Sequence, residues 1–417
     1  MNNATPALFA FLLAVSLPAM AGVAAMPAGG VNSESDAVLQ QQSPQQVTRT
    51  TVVPEATPVE AANTTNRLHV TGEVRSEYTA YRPGLGLALA SADDELRIDH
   101  EQYTIIESEF NEATAAEQAA MIQAAYDQLK QRADELEQRE QQAVRAHAAG
   151  DRSTASLVRL LIRNHNEAAV LSEYFDELAT RAEQVPDGSL SSRQVRIDEN
   201  VFNAHRTSLR ASLSRLADSS ADSSQSGIVV STSQTGYSLS MMYGDTYVVE
   251  TTRFDNRDET ATDQFDDFEA FQHTMELYPW AAEHGSPHFQ DNSPNHYWTE
   301  ISHNQGRLEV YLDAGTGEVY REVQELTAPS LPVAHSRTQT SEGLEITVNE
   351  TPANGPAKVT VTETDAGNPT GATIMLNGRE IGETAPDGTL WFVPPSSEYR
   401  LTAKTANGNV SVSPAGS

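Results

Sequence analysis

The run TAAEQAAMIQAAYDQLKQRADELEQREQQAVRAHAAG, residues 114–150, has no proline, and its only glycine is the last residue. Ile122, Tyr126, Leu129, Ala133, Leu136, Ala143 and His147 return every three or four positions. That is the period of an amphipathic α-helix. Thr114 stands three residues before Glu117, the spacing of a capping box, and Gly150 suits a left-handed C-terminal cap. Both ends of the helix are therefore marked in the chain.

The same beat continues on either side. Leu85, Leu89, Ala92, Leu96, Tyr103, Ile106 and Phe110 keep a near-heptad before it. Leu157, Leu160, Leu161, Ala168, Leu171, Phe175, Leu178 and Ala182 share one stripe after it. A fourth helix is expected to start at Ser191, with a box-like Gln194, and to carry Val195, Phe202, His205, Leu209, Leu213 and Leu216. Short loops make successive helices antiparallel neighbours, so residues 67–218 are predicted to form an antiparallel helical bundle or coiled-coil hairpin.

Composition narrows the setting. The formal net charge is −31, which disfavours nucleic acid and anionic bilayers as partners. Only Lys130, Lys358 and Lys404 among the 27 basic residues are lysines. A surface rich in Asp and Glu and nearly free of Lys suits molar salt, where screening removes self-repulsion. The expectation is a halophile's protein; the bland alternative is an ordinary acidic chain with few lysines by chance. The chain has no cysteine, so disulfides and thiol chemistry are excluded.

Residues 7–25 are apolar and small, with Ala19-Met20-Ala21 and Val23-Ala24-Ala25 as cleavage-like sites. Residues 1–25 therefore read as an export signal. Residues 1–6 carry no Lys or Arg, which leaves an uncleaved N-terminal anchor as the alternative. Residues 26–66 are Ser, Gln, Thr and Pro-rich and are expected to be a disordered tether. Glycosylation sequons place candidate sites at Asn63, Asn349 and Asn409.

Residues 219–236 read as a Ser/Asp hinge, after which the period changes to two. Strands are expected at 237–242, 246–253, 297–302, 307–312 and 318–323, with a helix over 265–282, giving a small α+β domain at 237–326. The run Leu308-Glu309-Val310-Tyr311-Leu312-Asp313-Ala314-Gly315-Thr316-Gly317-Glu318-Val319 resembles the final hairpin of the PepSY domain. That resemblance, over about 80 residues, implies inhibition or chaperoning of exported proteases and brings no catalytic residue.

Residues 327–341 read as a second linker. Alternating strands at 344–348, 358–362, 372–376, 390–393 and 399–403, with a turn at Asn377-Gly378, predict a β-sandwich over 342–417. The run from Gly371 to Gly378, with Asp387-Gly388 and Tyr399-Arg400-Leu401-Thr402-Ala403, resembles carboxypeptidase-regulatory-like modules, which are non-catalytic sandwiches of surface proteins. The fold class expected is thus multidomain α+β: helical bundle, PepSY-like domain, sandwich. Residues 66–325 also resemble exported haloarchaeal proteins made of domains of unknown function, through Ala90-Ser91-Ala92-Asp93-Asp94-Glu95-Leu96-Arg97, Arg163-Asn164-His165-Asn166-Glu167-Ala168-Ala169 and Glu276-Leu277-Tyr278-Pro279-Trp280. No activity is implied.

Reactive groups are weighed singly. His273, Glu276, Glu283, His284, His288, His296 and His303 crowd one stretch and are zinc-ligand types, but no HExxH spacing occurs; solvated loop residues are the alternative. Asp255, Asp258, Glu259, Asp263, Asp266 and Asp267 are calcium-ligand types without the EF-hand spacing, and acids also suit a helix start. Asn164, His165 and Asn166, with His147 and His205, are expected to form a polar layer that sets helix register. Tyr278, Trp280, Tyr297 and Trp298 are core aromatics or a partner surface.

No catalytic residue, cofactor or metal is expected. The function expected is a non-enzymatic, extracellular or cell-surface spacer and interaction scaffold, or one anchored by its N-terminal segment. Its partners would be envelope proteins, with no nucleic acid and no membrane contact beyond an uncleaved N-terminus. A regulator of an exported protease and a metal-dependent hydrolase are the alternatives.

Overall fold

The computed structural model describes residues 47–52, 57–80, 85–102, 110–185, 190, 198–199, 202–218, 227–291, 296–395 and 398–413. The signal-like segment 1–25, most of the expected tether and the capping residues Ser191 and Gln194 lie outside them.

Strands β1 (Val47–Val52) and β2 (Gly72–Ala80) precede helices α1 (Leu85–Gln102), α2 (Ala115–Ala149), α3 (Thr154–Ala182) and α4 (Ser208–Asp218). The box at Thr114 forms: Glu117 Oε2 accepts from the Thr114 backbone N–H at 2.8 Å, and Thr114 Oγ1 accepts from Glu117 N at 3.4 Å. Gly150, at φ 93°, closes α2 in the left-handed region that a side chain would resist. Ser153 then caps α3 through the N–H of Ser156.

Strands β3 (Gly227–Thr232), β4 (Gly236–Tyr243) and β5 (Thr246–Arg253) follow, then helices α5 (Asp267–Leu277) and α6 (Pro279–His284). The predicted helix over 265–282 is split because Pro279 cannot donate its backbone nitrogen. Strands β6 (Gly285–Asp291), β7 (His296–His303), β8 (Gly306–Asp313) and β9 (Val319–Thr327) complete a nine-stranded antiparallel sheet in the order β1-β2-β3-β4-β5-β9-β8-β7-β6.

The C-terminal sandwich has one sheet of β10 (His335–Ser341), β11 (Leu344–Glu350), β12 (Ala357–Glu363) and β15 (Thr389–Phe392). The other holds β14 (Arg379–Glu383), β13 (Thr373–Leu376), β16 (Leu401–Lys404) and β17 (Asn409–Val412). Asn377 and Gly378, at φ 50° and 85°, make the tight turn between β13 and β14.

The large sheet is covered on both faces. On one, Val144, Leu157, Leu161, Leu209 and Leu213 of the helices pack on Val230, Leu239, Met241 and Val248. On the other, α5 and α6 cover β7 and β8 through Ala270, Tyr278, Ile301, Leu308 and Val310. The sandwich covers β2–β5 on that same face: Val393 packs with Val229, Tyr247 and Val249, Tyr78 joins both cores, and Arg67 Nη1 donates to Ala353 O at 2.7 Å.

Several expectations are corrected. The helices of 67–218 are not a free bundle, because only Ile122, Tyr126, Leu129, Leu136, Leu171, Phe175 and their neighbours form a core without strands. The rest of α2 and α3, with α4, needs the sheet. The expected tether 26–66 ends early: β1 pairs with β2, and Thr64, Thr65 and Asn66 are buried. The hinge 219–236 contains β3, which binds β2 and β4 through its backbone. The linker 327–341 contains β10, whose seven residues are all exposed, so no alternation marked it as a strand.

The first helix turns its heptad outward. Leu89 and Leu96 are 62% and 67% exposed, whereas Leu87, Asp94, Ile98 and Gln102 are buried. Arg163 of α3 grips both Asp94 oxygens at 2.5 and 2.6 Å, and Asn166 reaches Ser91, so the polar side of α1 is drawn inward. Among the described residues no helix is long and apolar enough to cross a membrane.

Candidate functional site

Helix α2 crosses the sheet where β5 and β9 lie side by side, and there it presents Glu137, Glu140 and Gln141 instead of apolar groups. Thr252 pairs directly with Arg321 and Glu250 with Val323, so all four point to the helical face. Arg210 of α4 enters from the side and is completely buried.

Arg210 is saturated. Its Nη1 and Nη2 each donate to Glu140 at 2.8 Å, a two-pronged pair. Nε and Nη2 donate to Glu250 Oε1 at 3.1 and 2.8 Å. The Tyr237 hydroxyl bridges the same carboxylates, 2.8 Å from Glu140 and 2.6 Å from Glu250, and Thr207 donates to Glu250. Burial alone would raise the Glu140 carboxyl; the Arg210 guanidinium, the His205 hydrogen bond and Arg321 together hold it well below its usual range. Burial pushes the His205 ring down against the pull of Glu140, whose Oε2 lies 3.2 Å from its Nδ1.

Arg321, another buried cation beside Glu140, is poorly served. It donates from Nη2 to Glu140 Oε1 at 3.3 Å, an oxygen already taken by Arg210 and Tyr237. Its Nη1 stands 3.9 Å from Glu250, and neither Nε nor Nη1 has a hydrogen-bond partner among the described residues. Thr252 Oγ1, also buried, has none either. Both residues line a cleft of about 350 Å³ whose mouth carries Asp134, Glu137, Glu259 and Arg257, with Phe254 and Tyr320 as walls. Arg257 bonds Glu137 at 2.9 Å and lies over the Tyr320 ring at 4.8 Å. Burial, with the neighbouring acids, raises Asp134 and Glu259.

The residues read as one polar layer are spread along the helices, and only His165 and His205 meet. His147 contacts Thr232 at 2.7 Å and Thr154 at 2.9 Å, and burial with nearby Arg75 pushes its ring down to about 4. Asn164 donates to Leu136 O, Asn166 to Ser91, and His165 Nδ1 lies 3.3 Å from His205 O.

The histidine stretch disperses. His273 reaches Gly317 O at 2.9 Å, His284 stacks on Trp280, and His288 lies exposed on β6. His296 is buried beside Tyr311 and Tyr320, and His303 meets the edge of Trp280. Tyr278 and Tyr297 are core residues; Trp298 lies half-buried on the other face of the sheet. The acids 255–267 are occupied locally: Asp255 binds Arg253, Asp258 binds Thr260, Asp263 accepts from Tyr297, and Asp266 caps α5. Among the described residues no three His, Asp or Glu gather as metal ligands. Asn63 and Asn409 are exposed; Asn349 is half-buried in β11.

Sequence reasoning missed Glu140, Arg210, Glu250 and Arg321. A signal was present: Glu250 follows Val248 and Arg321 precedes Val323 at strand positions whose period points inward.

An antiparallel sheet with helices N-terminally and a sandwich C-terminally is what the geometry defines. The chain belongs to the family described as a domain of unknown function, DUF7096, whose model matches residues 1–223. Residues 228–332 match a family of unknown function, DUF7094, and residues 335–412 match the archaeal fibronectin-III type-like domain. The sandwich, expected to be a carboxypeptidase-regulatory-like module, thus matches a fibronectin-III type-like one. No curated protein matches the chain.

Proposed function

We propose that this protein is a non-enzymatic, exported component of a halophile's cell envelope that acts as an interaction scaffold. The observation that supports it best is the use made of its buried ionisable groups. Arg210, Glu140, Glu250 and Tyr237 are bonded to one another across α2, α4, β4 and β5. Arg321 brings the set to charge balance, and a hydrogen-bonded network of this kind holds elements in register with both carboxylates engaged.

The signal-like residues 1–25 and the lysine-poor acidity support export into brine. The N-terminal segment, if uncleaved, serves as the anchor. The C-terminal sandwich, a contact module in the carboxypeptidase-regulatory resemblance, leaves the exposed strand β10 for an envelope partner. The test is a screen of purified protein in molar KCl against peptides, glycans and esters, with protease shaving of intact cells. Scaffold behaviour predicts surface cleavage and no turnover. Turnover abolished by one substitution, or full protection in intact cells, refutes it.

A second reading, regulation of an exported protease, is favoured by α5 and α6 packing on an antiparallel hairpin sheet in the PepSY-like stretch. Because β5 pairs with β9 and β4, the full chain is the reagent. Unchanged envelope proteolysis in its presence refutes this reading.

A further inference from the structure

The cleft between α2 and β5–β9 has two unlike ends. At its inner end lies Arg321, 5% exposed, with one long hydrogen bond and two nitrogens unmatched, next to Thr252, 2% exposed, with its hydroxyl unmatched. A buried guanidinium is ordinarily surrounded by acceptors, because desolvation is otherwise uncompensated. Here Arg210 has taken the acceptors of Glu140 and Glu250. At the outer end Asp134, Glu137 and Glu259 stand against Arg257, and the other lining guanidinium, Arg253, is already paired with Asp255, so the mouth keeps an excess of negative charge. A plain anion suits the inner end and is repelled at the mouth; a plain cation meets the reverse.

We propose that this cleft binds a small zwitterion, its carboxylate directed to Arg321 and Thr252 and its ammonium to the carboxylates of the mouth. The volume, about 350 Å³, lies at the lower end of ligand-pocket sizes of roughly 300–1,000 Å³ and admits a molecule of amino-acid size. The flat walls of Phe254 and Tyr320 suit the short methylene chain or the cationic head between the two charges. Burial raises the carboxyls of Asp134 and Glu259, and the acids around them raise them further against the pull of Lys130 and Arg257. Binding involves no covalent step and stands independently of the scaffold reading.

Isothermal titration of the full chain in molar KCl tests it, with glycine, β-alanine and γ-aminobutyrate as a spacing series and butyrate and butylammonium as single-charge controls. At least one zwitterion is expected to bind about tenfold or more tighter than either control. Arg321→Lys is expected to weaken the zwitterion and butyrate alike. Glu137→Gln, a change at the half-exposed mouth that spares the core, is expected to weaken the zwitterion and not butyrate. Butyrate binding as tightly as the best zwitterion overturns the proposal in favour of a simple anion site. Absence of heat with every probe overturns it in favour of a water-filled cleft.

Discussion

Replacing Arg210 with Met removes the one cation that both Glu140 and Glu250 chelate. The substitution conserves an unbranched apolar stem, so packing changes little and the electrostatic loss dominates. The buried set Arg210, Arg321, Glu140 and Glu250 is neutral as built; with Met it carries one unbalanced negative charge, and Arg321 approaches the two carboxylates only at 3.3 and 3.9 Å. Stripping one partner from a buried ion pair costs about 3–5 kcal/mol, a large part of a typical stability of about 5–15 kcal/mol. The second change, Glu250→Gln on the same background, restores neutrality and leaves Arg321 to Glu140. It is expected to recover at least half the loss, a coupling near the top of the usual range of about 0.5–3 kcal/mol. Urea unfolding in molar KCl, followed by fluorescence of Trp280, Trp298 and Trp391, measures both. Salt screens the exposed Arg97–Asp93 pair, both side chains more than half exposed, but not this interior, so the loss persists at high salt. A cost below about 1 kcal/mol for Arg210→Met, or a double variant no better than the single one, refutes the reasoning.

Further outcomes are expected. Burial pushes Glu322 up from 4.5 to about 7, although Tyr278, Leu68 N and Gln324 all donate to it. Because its folded value is raised, its contribution is full below the unfolded value and is lost as pH rises through 7. Glu322→Gln is therefore expected to flatten a loss of about 3 kcal/mol between pH 4.5 and 7, read from urea midpoints against pH; an unchanged profile counts against it. The melting temperature should rise with KCl because the net charge of −31 repels itself in dilute buffer; a flat dependence excludes the halophilic reading. Residues 1–223 produced alone should lack cooperative unfolding, since β2 then has no β3; a sharp calorimetric transition would contradict this.

Local order was legible and long-range partners were not. Thr114, Glu117 and Gly150 specify the ends of α2 within a few residues of chain, and the Asn377-Gly378 turn does the same for β13–β14. The face that α1 buries depends on Arg163, 69 residues after Asp94, and no period in α1 itself reveals that. The sequence of β3, Gly227-Ile228-Val229-Val230-Ser231-Thr232, is strand-like, but the Ser and Asp residues before it disguised its start. The cleft was the least legible part. Glu140 looks like any solvated helix carboxylate until Arg210, 70 residues later, closes on it.

The pairing of β2 with β3 also orders events in time. About 146 residues separate Ala80 from Gly227, and that loop must close before β1 and β2 gain their place in the sheet. The strand-free part of the α2–α3 hairpin is local and forms early, whereas the rest of it and the N-terminal strands wait for the sheet. A chain that leaves its producer N-terminus first thus remains incompletely folded until residue 232 or beyond has emerged.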